Sequence, residues 1–91
     1  MFHMKIVDGF ILRKIGAQYF VTATGEKATQ LNGIVELNEV AACIWKMLQS
    51  GCSYEELYNE INSQFVCDDN LQYDLHVFLE EMEKNGFLSM E

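Results

Sequence analysis

Cations are scarce in the second half of this chain. Residues 51–91 carry ten acidic side chains and a single base, Lys84, whereas residues 1–50 carry four acids and five bases, for a net charge of −8. Nucleic-acid binders need clustered Lys and Arg to displace counterions from phosphates, so this balance argues against a DNA or RNA partner. Long apolar runs are missing too. None approaches the ~18 residues of a membrane span, and the N-terminus lacks a secretory apolar core, so a cytoplasmic location without a membrane partner is expected. The three cysteines, Cys43, Cys52 and Cys67, form no CxxC or other metal-like spacing, and an odd number cannot complete an intramolecular disulfide set. His3 and His76 are far apart and neither has a second His or Cys at i+4. Three reduced thiols and no bound metal or other cofactor are expected. Proline, low-complexity segments and internal repeats are absent.

Catalytic signatures are equally sparse. No Cys/His pair, Ser/His/Asp set, HExxH or Gly-rich phosphate loop occurs at a recognisable spacing, so the chain reads as a non-enzyme. The neighbouring acids Asp68 and Asp69 sit where a helix would begin, and capping accounts for them.

What is present suits one small domain spanning residues 1–91. An apolar fraction of 49% and an aromatic fraction of 12% place it among globular chains rather than disordered ones. Phe10 to Ile15 and Tyr19 to Thr24 read as two strands around a Gly16-Ala17 turn. After a polar link, Asn32-Gly33 favours the positive φ of a tight turn, and Ile34 to Leu37 begins a third strand. Asn38 then caps a first helix whose apolar stripe is Leu37, Ala41, Ile44 and Leu48, widened by Val40 and Met47, and which ends at Gly51. Trp45 lies off that stripe, either at the periphery of the core or in a protein contact. Ser53 and Glu56 form a capping box for a second helix with Leu57, Ile61 and Phe65 on one face. Asp69 and Gln72 have the same spacing ahead of a third helix. Its core stripe is Leu71, Leu75, Phe78 and Met82, with Gly86 as the left-handed stop and Phe87 packing on Met82. Three strands followed by three helices make an α+β domain.

The succession "GIVELNEVAACIWKMLQSG", "SYEELYNEI" and "DNLQYDLHVFLEEMEKNGFL" resembles the PqqD family. The shared order is a strand running into Leu-Asn-Glu, a helix ending in Gly, a Ser-capped helix, and a last helix carrying Asp-Leu and closing on Gly-Phe-Leu. The upstream "FILRKIGAQYFVTATGE" is similar to the opening hairpin of small members, so the resemblance covers roughly residues 8–89. It implies a winged-helix-like fold that recognises precursor peptides of ribosomally made, modified natural products (RiPPs). The leader of the precursor would add as an extended strand beside the third strand and against the third helix. The chain would then act as a peptide chaperone, presenting the leader to a modifying enzyme such as a radical SAM protein.

The physical reading of the opening strand agrees with that implication. A strand that follows a tight turn and feeds straight into a helix can lie at a sheet edge, and an open edge is a template for strand addition. Ile34, Val35, Glu36 and Leu37 are therefore candidate peptide contacts, with Asp74, Val77, Phe78 and Glu81 as the facing wall on the third helix. Each has a plainer reading: Val77 and Leu79 as a widened core face, Phe78 as core, Glu36 as a solvent-facing strand residue. Glu80, Glu81 and Glu83 read as a solvated face or as a field favouring a leader with Lys or Arg near its anchors. Tyr54 and Tyr58 read as packing residues. Two alternatives compete with the adaptor. One is a winged-helix DNA-binding regulator, disfavoured by Asp69, Asp74, Glu80, Glu81 and Glu83 on its would-be recognition helix. The other is an acidic interaction subunit of an enzyme complex.

Overall fold

The computed structural model describes residues 3–24, 35–66 and 69–90. The chain runs β1 (His3–Ile6), β2 (Phe10–Ile15), β3 (Gln18–Ala23), β4 (Val35–Leu37), α1 (Glu39–Ser50), β5 (Cys52–Ser53), α2 (Tyr54–Gln64), α3 (Leu71–Lys84) and β6 (Leu88–Met90). The fold class is α+β. The expected strands and helices occur in the expected order, and three short strands are added to them. Among the described residues, no helix is long and apolar enough to cross a membrane.

Two antiparallel sheets result, ordered β2-β3-β4 and β5-β1-β6. In the first, Gly16 takes a φ of +63° at the first central position of a two-residue turn, the place where such a hairpin favours glycine. The second sheet brings the two ends of the chain together. β1 alternates exposed and buried residues, placing Met4 and Ile6 in the core, and pairs with β6 through Met4↔Met90, Lys5↔Ser89 and Ile6↔Leu88.

Helix ends follow their local chemistry in most cases. The Asn38 side chain accepts from the Ala41 N–H at 2.8 Å. Ser53 and Glu56 exchange both bonds of the capping box, at 2.9 and 3.2 Å, which satisfies the otherwise buried Ser53. At the end of α3, Gly86 (φ +79°) donates to Glu83 O and Phe87 N donates to Met82 O, the paired bonds of a Schellman ending. The Asp69/Gln72 capping box does not form. Asn70 is the N-cap of α3 and makes no side-chain cap bond. Asp69 thus falls one residue too early to reach the first free amides.

The core joins both sheets to all three helices. Leu48, Leu57, Ile61 and Val21 are fully buried, and Trp45 with them at 1% exposure. Trp45 is therefore central rather than peripheral. Phe10 and Phe87 meet its ring edge-on, with centroids 6.4 and 5.5 Å away, and meet each other at 4.8 Å. Such pairs contribute about 0.5–1.5 kcal/mol each beyond area burial. The stripe on α3 also differs from the expected one: Leu71, Leu75, Leu79 and Met82 are buried, while Phe78 is only half-buried. At about 100° per residue, Phe78 and Leu79 sit on opposite shoulders of the Leu71–Leu75–Met82 line. The β5-β1-β6 sheet, with Met4 and Leu88, covers the Leu79 shoulder and leaves the Phe78 shoulder facing β4.

Candidate functional site

β4 has one strand neighbour, β3, among the described residues. Ladder parity decides which of its backbone groups face the other way. The two-residue turn makes Ile15↔Gln18 a hydrogen-bonded pair, and alternation continues to Gly9, whose carbonyl accepts from the Thr24 N–H at 2.7 Å. The even-numbered residues of β3 thus bond to β2, and Tyr19 and Val21 bond to β4. Their partners are Leu37 and Val35. Glu36, between them, directs its N–H and C=O toward the open edge.

Opposite that edge stands the Phe78 shoulder of α3. Two cavities lie between the elements and share Leu37 and Phe78 as a saddle. The larger, about 550 Å³, is bounded by Glu36, Val40, Val66, Asp74 and Leu75. The smaller, about 110 Å³, is bounded by Val35, Trp45, Glu81, Met82 and Phe87. The Nε1 of Trp45 is buried with no hydrogen-bond partner among the described residues. Together the cavities make a mostly apolar groove along β4 with acids at its margins.

Most of the candidate contacts are therefore brought together. Val35, Glu36, Leu37, Asp74, Phe78 and Glu81 all line the groove. Val77 lines neither cavity and is 41% exposed, one step further around the helix than Asp74 and Glu81. Ile34 lies outside the described residues. The sequence pattern pairs Phe87 with Met82, but not with Trp45, because that meeting depends on the C-terminal turn bringing Phe87 back onto α1. For Trp45 the advance signal was its off-stripe position.

The acids of α3 divide between two faces. Asp74 and Glu81 border the groove, whereas Glu80 and Glu83 border a cleft of about 770 Å³ on the other side of the helix, walled by Tyr54, Tyr73, His76 and Leu88. The Tyr54 hydroxyl donates to the Gln72 carbonyl at 3.3 Å, which ties α2 to α3 there.

Neither described thiol shows activation. Cys43 and Cys52 are free, and burial raises both above the ordinary thiol value, with Glu60 near Cys43 and Glu56 near Cys52 adding to the effect. Cys67 lies outside the described residues.

Comparison with known proteins places this architecture. The chain matches a solved structure described as TbiB1 in complex with the TbiA(beta) leader peptide, with a TM-score of 0.74 and 22% identity over 93% of this chain and 94% of that one. No curated protein matches. The sequence model described as coenzyme PQQ synthesis protein D (PqqD) matches residues 21–88, a span running from β3 to β6. The chain belongs to the PqqD family.

Proposed function

We propose that this chain is a non-catalytic recognition element that binds the leader of a ribosomally made precursor peptide by strand addition and presents it to a modifying enzyme. The leader lies along β4 and against α3. It contacts Ile34, Val35, Glu36 and Leu37 on one side and Asp74, Phe78 and Glu81 on the other, with Val77 at the outer rim. The observation that carries this reading is the open edge at Glu36 facing two apolar cavities across a shared Leu37–Phe78 saddle.

Backbone bonds at an edge give affinity that depends little on sequence, and pockets for alternate side chains give selectivity. The two cavities are neighbours that share Leu37 and Phe78, and successive side chains on one face of a strand, about 6.8 Å apart, are the means by which one extended segment reaches both. Family membership supports the reading, and so does the fold shared with TbiB1, which was solved with a leader peptide bound. A radical SAM protein is the kind of modifying enzyme that family membership suggests.

Titration of the purified chain with a synthetic leader, taken from a short reading frame beside its gene, tests this. Saturable peptide binding is expected, with none to duplex DNA at moderate salt. Saturable, sequence-dependent DNA binding without peptide binding would favour the winged-helix regulator instead.

A further inference from the structure

The groove selects for charge as well as shape. Glu36, Asp74 and Glu81 line its two cavities, and no Lys or Arg lines either of them among the described residues. Of the five described lysines and arginines, Lys14 and Lys46 lie over the Tyr19 ring at 5.6 and 5.0 Å, Lys84 borders a depression with Glu80 and Glu83, and Arg13 stands on the Glu36 face of the sheet beyond Phe20, two strands from the edge.

Strand geometry gives this field a position. The N–H and C=O of Glu36 face the open edge, so in a leader lying antiparallel to β4 the residue directly opposite Glu36 exchanges both backbone bonds with it. The side chains of a directly opposed pair lie on the same face of the sheet and interact. Opposite charges stabilise such a pair and like charges destabilise it. The residues before and after point to the other face, the one shared by Val35 and Leu37 and continued by Phe78. On that side Asp74 and Glu81 flank the apolar walls.

Resting on the strand-addition reading above, we infer that the bound segment carries a lysine or arginine opposite Glu36, bracketed by two apolar side chains that enter the cavities. The partner is thus a leader with a short apolar–basic–apolar alternation, and an acidic residue at the central position is rejected. Replacing the central cation by a neutral residue weakens binding up to about fivefold. Much of the loss falls on association rate and is muted by added salt.

Random-peptide display on the wild-type chain, on Glu36→Gln and on Asp74→Asn/Glu81→Gln tests the inference. The wild type should enrich peptides with Lys or Arg between two apolar residues. Glu36→Gln should keep the apolar pair and lose the central basic preference, and the double variant should keep both features with weaker basic bias overall. Groove-bound peptides with no basic preference, or a preference unchanged in Glu36→Gln, would overturn the charge rule and leave strand addition standing. Failure to enrich any peptide, or enriched peptides whose amide shifts map away from β4 and α3, would remove strand addition and the charge rule together.

Discussion

Replacing Glu36 by proline isolates the backbone contribution to binding. Proline removes one N–H, and at this position that N–H faces the open edge rather than β3, so both bonded pairs that hold β4 in its sheet remain. Edge strands with the donor facing outward are where sheets tolerate proline, and the preceding residue, Val35, is already extended as proline requires. The ring fixes φ near −65°, short of the roughly −140° of an antiparallel strand, which β4 absorbs by local twisting. The fold should therefore survive with a small loss of melting temperature. Binding should not. The leader carbonyl that accepted from Glu36 is left without a donor at a partly desolvated edge, which costs about 1–3 kcal/mol. That corresponds to roughly 5- to 150-fold in Kd. Glu36→Ala keeps the N–H and, like proline, lacks the carboxylate side chain, so the difference between these two variants is mainly the backbone term. Calorimetric titration with the leader and a thermal melt of each variant suffice. Equal affinities for a folded Glu36→Pro and for Glu36→Ala would refute strand addition at this edge.

Other consequences can be measured separately. Phe78→Ala removes the shared wall of both cavities. Because Phe78 is half-buried, denaturant unfolding should register less than the ~3–5 kcal/mol of a full core deletion, and leader binding should fall sharply. Ser53→Ala breaks the capping box and should cost about 1 kcal/mol in the same assay. The bonds from Ser53, the backbone one first, hold the Glu56 carboxyl below its ordinary value, so its stabilising effect is complete above the unfolded value of about 4.3. It is lost as pH falls through that value and then through the lower folded one, and a pH series of melts on Glu56→Gln, which has no carboxylate to titrate there, should show a weaker acid dependence than the wild type.

Much of the fold was legible because its signals are local. Ser53 and Glu56 are three residues apart and found each other. Asn38 starts a helix and Gly86 stops one, each through its own backbone neighbourhood. The strands β1, β5 and β6 were not legible, because Met4, Cys52 and Leu88 meet only through long-range pairing and each strand is four residues or shorter. The exchange of Phe78 for Leu79 in the core has the same origin. Helical spacing allows either shoulder, and the sheet built from the two chain ends decides between them. The groove itself was half legible. The strand-to-helix junction at Leu37–Asn38 marked the edge, and the 3.6-residue period put Asp74, Phe78 and Glu81 on one side of α3. Its floor needed Trp45 and Phe87, whose meeting no local pattern encodes. Asp69 shows the opposite failure: a capping-box spacing was present, but α3 began one residue too late to use it.

The location of the bound leader is the central claim, and amide chemical-shift mapping with the cognate leader peptide tests it most directly. The account predicts the largest shifts at residues 35–37 and at Asp74, Phe78 and Glu81, with the indole N–H of Trp45 shifting as the small cavity fills. Shifts confined to the 10–23 hairpin, or to Tyr73, His76, Glu80 and Leu88 around the opposite cleft, with residues 35–37 silent, would contradict it.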